Sequence, residues 1–318
     1  MIIVKLMGGL GNQLQQYALY RHVEECGLEA ALDTGWFDPE NQASMLAPRK
    51  IEINRFPGIR YKVATDKDIE LLLGSNSFLG KCKRRFIKDS VKKFSEDVRL
   101  YADELYNGLF VERNLKDLYI EGYFSNEYYY SDVFPILRKE LEFPIKEAGH
   151  PTKIEELART MLNHDSISAH LRRGDYLDSA NAEGFGNICT DEYYISALNR
   201  AIAEAIDPKV YVFSDDLGFA ADYFKKMAES TVKPFTVWPV DINKGEDNFF
   251  DIYLMSCCQT VIAANSTFSF WGGRLNSRED KVLIRPTIHH NKQTFEYENM
   301  KKWWKDWIFV SPEGEVFE

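Results

Sequence analysis

The residues from Ser166 to Leu171 read Ser-Ile-Ser-Ala-His-Leu, and two arginines, Arg172 and Arg173, follow them directly. A short run of small and apolar side chains is typical of a strand that is buried on both faces of a parallel sheet. Two guanidinium groups at the end of such a strand cost free energy unless anions meet them. This stretch therefore indicates both the type of sheet and the place where a site is expected.

Strand-like and helical patterns alternate regularly in this half of the chain. The strand-like runs are 166–171, 210–213, 235–237, 260–264 and 281–284, and helical patterns of 10–15 residues lie between most of them. Such an alternation predicts an α/β fold with a doubly wound parallel sheet. Ligands bind beyond the carboxyl ends of the strands in these sheets, so residues that follow strands are the candidates for function.

The N-terminal half begins in the same way, with an apolar run at 2–6, a glycine-rich turn and a helical pattern over 13–26. Further strands are predicted at 29–33 and 118–120, and a helix at 127–141, while the charged region 35–115 carries no recognisable signature. Proline and glycine at 144, 149 and 151 mark a linker. We therefore predict two domains, residues 1–148 and 149–318.

Composition excludes several classes of protein. The chain has 318 residues, 45% of them apolar, and 39 basic against 49 acidic side chains give a net charge of −10. This apolar content excludes a disordered or fibrous chain, and the acidic balance argues against nucleic acid as a partner. Five cysteines without C-x-x-C spacing argue against a disulfide framework and a structural zinc site. Without a long apolar window or a signal peptide, we expect a cytoplasmic protein.

Three further segments follow predicted strands and have compositions that suit a ligand. Clustered glycines in the segment from Gly8 to Gln13 let a backbone approach a ligand, and the amides of Asn12 and Gln13 suit a sugar or phosphate, although a tight turn would also use these glycines. After the strand at 260–264, hydroxyls at a helix start either bind phosphate or simply cap the helix. Asp215 and Asp216 follow the strand at 210–213, where one can cap a helix and one can accept hydrogen bonds from ribose or guanine.

Taken in order, these motifs resemble those of the α-1,2-fucosyltransferases of glycosyltransferase family 11. The resemblance is carried by Gly8 to Gln13 with Tyr17 and Ala18, by His170 to Tyr176, by Phe213 to Asp216 and by Asn265 to Gly272. It implies a GT-B-like fold of two Rossmann-type domains facing a cleft, an N-terminal acceptor-side domain and a C-terminal domain that binds GDP-fucose. Gln15 departs from the family's usual aromatic or aliphatic residue.

The activity that the resemblance implies is inverting transfer of L-fucose from GDP-β-L-fucose to O2 of a terminal β-galactose. The acceptor would be a galactose-terminated oligosaccharide or a lipopolysaccharide precursor, and a lipid-linked acceptor would bring peripheral contact with a membrane. No metal and no other cofactor is expected.

Site residues follow from the same motifs. Arg172, Asp175 and Asn12 are predicted to be catalytic, and Arg172 is expected to contact the β-phosphate. If the reaction uses a general base, Asp175 is the first candidate, followed by Asp178 and Glu183. The predicted donor-binding residues are Gly9, Gly11, His170, Arg172, Arg173, Asp215, Asp216, Asn265, Ser266 and Thr267. If both arginines instead pair with local carboxylates such as Asp175 and Asp178, their role is structural.

Other functions stay open from the residues alone. A transferase with another linkage or another nucleotide sugar would use the same features, and a lectin-like module could hold an anionic glycan with the arginines. A dehydrogenase that binds NAD is disfavoured because the glycine turn lacks its third glycine, although Asp33 follows the second predicted strand.

Overall fold

The computed structural model describes residues 1–43, 48–74, 92–96, 103–162, 165–174 and 179–318. The chain divides into two compact units, Met1–Glu142 and Phe143–Glu318. The division therefore falls between residues 142 and 143, where the sequence placed it between 148 and 149. No helix in the described ranges is both long and apolar enough to cross a membrane.

Unit 1 contains a four-stranded sheet in which every pair of neighbours is parallel. Its strands are β1 Ile2–Lys5, β2 Ala30–Asp33, β3 Lys93–Ser95 and β4 Leu118–Glu121, in the spatial order β2-β1-β4-β3. Its helices are α1 Leu10–Glu25, α2 Pro39–Gln42, α3 Asp66–Leu73, α4 Asp103–Tyr106 and α5 Phe134–Glu140. Ile2, Ile3 and Val4 of β1 are fully buried, as expected for a central strand that is covered on both faces.

Unit 2 contains a seven-stranded sheet in the order β11-β10-β9-β8-β5-β6-β7. Its strands are β5 Ser166–Leu171, β6 Lys209–Ser214, β7 Thr236–Pro239, β8 Thr260–Ile262, β9 Val282–Pro286, β10 Trp307–Val310 and β11 Val316–Phe317. All neighbours are parallel except β10 and β11. Its helices are α6 Pro151–Leu162, α7 Ser179–Phe185, α8 Asp191–Ile202, α9 Leu217–Met227, α10 Phe250–Cys257, α11 Thr267–Leu275 and α12 Tyr297–Trp303.

The strand order of unit 2 reverses beside β5. From β5 the chain proceeds to β6 and β7 on one side and then returns to β8 on the other side of β5. A reversal of this kind opens a crevice at the carboxyl ends of the two strands that flank it, and ligands of doubly wound sheets bind there. Because Ala169 pairs with Ile262, β5 and β8 end at the same edge. The arginine pair and the segment from Asn265 to Thr267 therefore leave the sheet on either side of this reversal.

The predicted α/β class and parallel sheets are confirmed, and so are the strands that the sequence indicated. Three strands have no counterpart among the predicted ones: β3 lies in the charged region, and β10 and β11 follow the last predicted strand at 281–284. Of the C-terminal aromatic residues, Trp303 ends α12 while Trp307 and Phe309 lie in β10, and all three are buried. The predicted helix at 127–141 is two short 3₁₀ turns followed by α5, because Pro135 takes a first-turn position of the α-helix.

Candidate functional site

The two arginines after β5 are paired with the two aspartates after β6. Arg172 Nη1 lies 3.1 Å from Asp215 Oδ2, and Arg173 Nε lies 3.3 Å from Asp216 Oδ2. The backbone N–H of Arg173 also donates to Asp215 Oδ1 at 3.0 Å. These two carboxylates come from the end of the neighbouring strand β6. Asp175 and Asp178, the local carboxylates of the alternative structural role, lie outside the described residues.

Gly174 explains how the Asp215 carboxylate reaches both partners. A Cβ at position 174 would fall far inside van der Waals contact with Asp215 Oδ2. The glycine therefore leaves the space in which the aspartate holds the end of Arg172 and the backbone of Arg173. Since Arg172 is about a quarter exposed, its guanidinium is oriented by Asp215 without being sealed from solvent.

Arg173 contacts an aromatic ring as well as its aspartate. Its guanidinium carbon lies 3.6 Å from the centroid of the Phe219 ring, an arrangement in which the ring's π-electrons attract the cation. Asp216, its ion-pair partner, also accepts the N–H of Phe219 at 3.3 Å and so begins α9. Arg173 and Asp216 thus form a support at the start of α9. The sequence missed Phe219, whose only signal was an aromatic residue in the first turn of a helix.

His170 lies one residue before the end of β5 and is buried. Burial, and then the nearby Arg172 charge, lower the pKa of His170 to about 3, so the imidazole is neutral at physiological pH. Its ring lies 6.0 Å from that of Phe268, and Nδ1 forms no hydrogen bond with any residue that the structure describes. A neutral ring here supports the strand end beneath Arg172 and does not carry a charge to a ligand.

Of the three residues 265–267, the first makes a structural hydrogen bond and the other two carry hydroxyl groups at the start of α11. The Asn265 side chain donates to the Phe185 carbonyl at 2.9 Å and so ties α7 to the end of β8. Ser266 is the N-cap residue of α11, yet its side chain forms no capping hydrogen bond. Neither Ser266 Oγ nor Thr267 Oγ1 is hydrogen-bonded to another residue in the described ranges. The plain capping role is therefore wrong, and this helix start offers hydroxyls and first-turn amides to an anion.

The glycine turn of unit 1 is organised differently. Gly8 has a φ of +81°, and a Cβ there would lie 2.7 Å from Asn12 Nδ2. The side chain of Gln13 donates to the carbonyl oxygens of Gly8 and Lys50 at 2.9 and 2.8 Å and accepts the N–H of Glu52 at 2.7 Å. Gln13 therefore braces the turn, contrary to the ligand role that its sequence position suggested.

A carboxylate of the protein already occupies the start of α1. Gly9 is the N-cap residue and Gly11 is buried in the first turn, while Glu52 Oε2 accepts the N–H of Leu10 at 3.1 Å. The side chain of Asn12 is partly exposed and forms no hydrogen bond with a described residue. The predicted anion at this helix start is thus replaced by Glu52, and Asn12 is the side chain of the turn that can reach a ligand.

Asp33, which the sequence left open as a dinucleotide ligand, already accepts two hydrogen bonds from its own unit. Its Oδ2 accepts the hydroxyl of Tyr119 at 2.6 Å and its Oδ1 accepts the N–H of Gly35 at 2.9 Å. A ribose hydroxyl would have to share these oxygens with both internal partners. Together with Glu52 at the helix start, this geometry argues against a nicotinamide-dinucleotide site in unit 1.

Within the described ranges, no three His, Cys, Asp or Glu side chains converge on a point where they could hold a metal ion. Glu183, the third candidate base, lies in α7, where its carbonyl oxygen accepts the side-chain amide of Asn291 at 2.9 Å. The site that remains is the edge of unit 2, with two oriented guanidinium groups and an uncapped helix start. The fold is that of an α/β protein, and the guanidinium groups and hydroxyls at the reversal of its second sheet have the chemistry that suits an anionic ligand.

Comparison with known proteins identifies the family. The family model described as Glycosyl transferase family 11 matches residues 82–311, and the chain belongs to this family. The O-antigen biosynthesis glycosyltransferase WbnK of Escherichia coli is 27% identical over 294 residues, which cover 88% of this chain and 92% of that protein. An alpha-1,2-colitosyltransferase of Escherichia coli is 28% identical over 299 residues, covering 90% and 91%. The chain is thus a glycosyltransferase, as its motifs predicted.

Two further likenesses are more distant. The putative galactoside 2-alpha-L-fucosyltransferase svh-11 of Caenorhabditis elegans is 28% identical over 200 residues, covering 58% of this chain and 50% of that protein. The solved Escherichia coli heptosyltransferase WaaC with ADP-2-deoxy-2-fluoro heptose covers 99% of this chain and 94% of its own at 9% identity, with a TM-score of 0.38. A score this low adds nothing to what the two sheets establish.

Proposed function

We propose that this protein transfers L-fucose from GDP-β-L-fucose to O2 of a terminal β-galactose, with inversion at the fucose C1. The observation that carries the proposal is the pair of features that flank the sheet reversal of unit 2, the oriented Arg172 guanidinium and the uncapped start of α11. Membership of the family supports glycosyl transfer. Two relatives whose names specify a 2-linked product support the linkage.

The leaving group explains why these residues are needed. When the bond between the fucose C1 and the phosphate oxygen breaks, negative charge builds on the diphosphate. Arg172 and the Ser266 and Thr267 hydroxyls are fixed donors that suit this charge, and one such donor contributes about 2.7–4 kcal/mol to transition-state stabilisation. Asp215 sets the direction of the Arg172 fork, so the donor group is oriented before the substrate arrives.

A donor carrying colitose is a second candidate, because a relative of almost the same length is named an alpha-1,2-colitosyltransferase. Colitose is L-fucose without its 3-hydroxyl, so the two donors differ by one polar group. We test the proposal by incubating the protein with lactose and each of GDP-fucose, GDP-colitose, GDP-mannose and UDP-galactose, with and without a chelator. We expect GDP-fucose to give the highest kcat/KM and the chelator to have no effect.

The role of Arg172 is tested with Arg172→Lys. A lysine keeps the charge but cannot reproduce the paired hydrogen bonds of a guanidinium, so we expect kcat/KM to fall by about 10²–10³. Arg200→Lys is the matched control, since Arg200 pairs with Glu318 far along the chain from the motif residues. Near-native turnover of a folded Arg172→Lys protein would refute the phosphate role, and transfer from UDP-galactose alone would refute the proposed donor.

A further inference from the structure

The C-terminal turn of α7 is held by a residue from a distant loop of unit 2. Carbonyl groups at the end of a helix have no partner inside the helix, so other groups have to satisfy them. The side-chain amide of Asn291 donates to the carbonyl of Glu183 at 2.9 Å and to that of Gly186 at 3.1 Å. The backbone N–H of Asn291 donates to the carbonyl of Gly184 at 2.8 Å. One asparagine thus satisfies three carbonyl groups of this turn.

The carbonyl group between them is held by a residue that adjoins the helix start of α11. Phe185 accepts the side-chain amide of Asn265 at 2.9 Å, and the thiol of Cys189 donates to Oδ1 of the same amide at 3.6 Å. Asn265 directly precedes Ser266, the N-cap residue of α11. The end of α7 and the residues that follow it therefore fix the segment from which the Ser266 and Thr267 hydroxyls project.

The loop that carries Asn291 is braced by its own hydrogen bonds. It follows β9, which pairs with β8 in the sheet. Gln293 Oε1 accepts the N–H of His289 at 2.9 Å, and the N–H of Gln293 donates to the carbonyl of His290 at 2.9 Å. His290 Nδ1 accepts the N–H of Lys292 at 3.0 Å. Asn291 therefore lies at the tip of a turn that bonds within the loop itself hold in shape.

The ring of His290 adds to the contact with α7. Its centroid lies 5.0 Å from that of Phe185, with the two rings edge to face. A Cβ at Gly184 would lie 2.9 Å from His290 Nε2, so glycine at this position lets α7 approach the loop closely. We call the surface formed by His290 and Asn291 the α7 dock. A ring contact and three hydrogen bonds fix the end of α7 on this dock.

Both parts of the proposed diphosphate site are linked to α7. The helix begins at Ser179, shortly after Gly174 and the arginine pair, and its other end holds Asn265 beside Ser266. We propose that Asn291 is a positioning residue for the nucleotide-sugar donor, acting through α7 and Asn265 on the hydroxyls at the start of α11. The inference rests on the proposed function and adds to it a residue from a loop that none of the sequence motifs includes.

The physical reason is that hydrogen-bond donors stabilise a leaving diphosphate only from fixed places. A hydroxyl has to lie within hydrogen-bonding distance of the developing charge, and a displacement of about 1 Å removes much of its effect. The side chain of Ser266 forms no capping hydrogen bond, so the backbone that Asn265 anchors sets its place. Without the α7 dock, the end of α7 would be free to shift, and Asn265 would lose a fixed partner.

The test compares Asn291→Asp with Asn299→Asp in the full-length protein. A carboxylate has nearly the shape of the amide but cannot donate to the carbonyl oxygens of Glu183 and Gly186. We expect Asn291→Asp to lower kcat/KM for the donor about tenfold, mainly by raising the donor KM, and to leave the KM for lactose unchanged. Asn299 donates to Glu296 at 2.6 Å near the start of α12, so Asn299→Asp makes the same chemical change elsewhere and should keep the wild-type donor KM.

A double-mutant cycle separates positioning from a general contribution to stability. If Asn291 acts through the two hydroxyls, Asn291→Asp should have almost no further effect on the donor KM in a protein that already carries Ser266→Ala and Thr267→Val. Equal factors in both backgrounds would overturn the inference, because a side chain that only stabilises the fold does not depend on these hydroxyls. Asn291→Ala, which removes the amide without adding a charge, should raise the donor KM to a smaller extent.

Calorimetric titration with GDP distinguishes the inference from the proposed function. GDP carries the diphosphate without the sugar, so Asn291→Asp should bind it about tenfold more weakly than the wild type does. Equal GDP affinity in the two folded proteins would overturn the inference and leave the donor and the linkage standing. If the wild type binds UDP and not GDP, the proposed donor fails, and the same comparison with UDP still decides the role of Asn291.

Discussion

The carboxyl edges of the two sheets offer opposite chemistry on the same architecture. In unit 2 the edge presents Arg172 and Arg173, each beside an aspartate, and a helix start whose hydroxyls do not cap it. In unit 1 the start of α1 is capped by Glu52, and the Glu96 carboxylate accepts two backbone N–H groups of the turn after β4. The first edge suits a diphosphate, whereas Glu52 and Glu96 at the second edge accept hydrogen bonds from the protein's own backbone.

The difference teaches that strand order positions a site while the first few residues after each strand decide its chemistry. Apart from the antiparallel pair of β10 and β11, the neighbouring strands of both sheets are parallel, so the loops that follow them lie at one edge. In unit 2, Asp215 reaches across from β6 to hold the arginine after β5. In unit 1, Gln13 and Glu52 fill the glycine turn with internal hydrogen bonds. A glycine-rich turn between a strand and a helix is therefore not by itself an anion site.

The largest effect in this comparison is expected from removing both hydroxyls at the start of α11. Each hydrogen bond to a charged group contributes about 1.5–3 kcal/mol, so the double variant Ser266→Ala with Thr267→Val should lower kcat/KM for the donor about 10²–10⁴-fold. The thermal midpoint should hardly change, because neither hydroxyl bonds another described residue.

The matching change at the other edge is Glu52→Gln. It removes the carboxylate that caps α1, so we expect a loss of about 1 kcal/mol in the free energy of unfolding and an unchanged donor KM. Calorimetry measures the stability, and initial-rate kinetics measure the donor KM, of Glu52→Gln and of the double hydroxyl variant. A raised donor KM in Glu52→Gln, together with a normal one in the hydroxyl variant, would assign the diphosphate to unit 1.

A smaller effect is expected from Gly174→Ala. The added methyl group would displace the Asp215 carboxylate, which would then no longer orient the Arg172 guanidinium. Because a misplaced contact to the substrate slows catalysis, we expect kcat/KM to fall about tenfold. Gly218→Ala is the control, since a Cβ added at Gly218 near the start of α9 would have no other atom within 4 Å. This variant should keep full activity. Equal activity in the two variants would show that Asp215 does not orient Arg172.

The smallest effect on activity near neutral pH is expected from His170→Gln, whose readout is the pH dependence of stability. The unfolded state takes up a proton below pH about 6.5, while the folded state holds the pKa of His170 at about 3. The free energy of unfolding should therefore fall by about 1.4 kcal/mol per pH unit as pH drops from about 6.5 towards the folded-state pKa of about 3. The variant should lose this contribution, and an unchanged slope in urea titrations at several pH values would contradict a buried neutral ring.

Much of the fold could be predicted from the sequence because the patterns that indicate strands and motifs lie within short segments. The apolar run of β5 and the regular alternation after it predicted a parallel sheet, and the motifs after its strands predicted the family. The short strand β3, Lys93–Ser95, escaped because a three-residue strand in charged surroundings has no periodicity to detect. The strand β10 escaped because tryptophans at 303, 304 and 307 repeat at a helical spacing.

What the sequence determined by itself was the α/β class, the order of the strands along the chain and the residues that follow them. Only the tertiary structure decided which side chains meet. Asp215 from the end of β6 pairs with Arg172, Glu52 caps α1 from 42 residues away, and Glu96 accepts two N–H groups from the turn after β4. These contacts join residues of different strands and loops. The pattern of residues within one segment does not show which other segments lie beside it in the sheet.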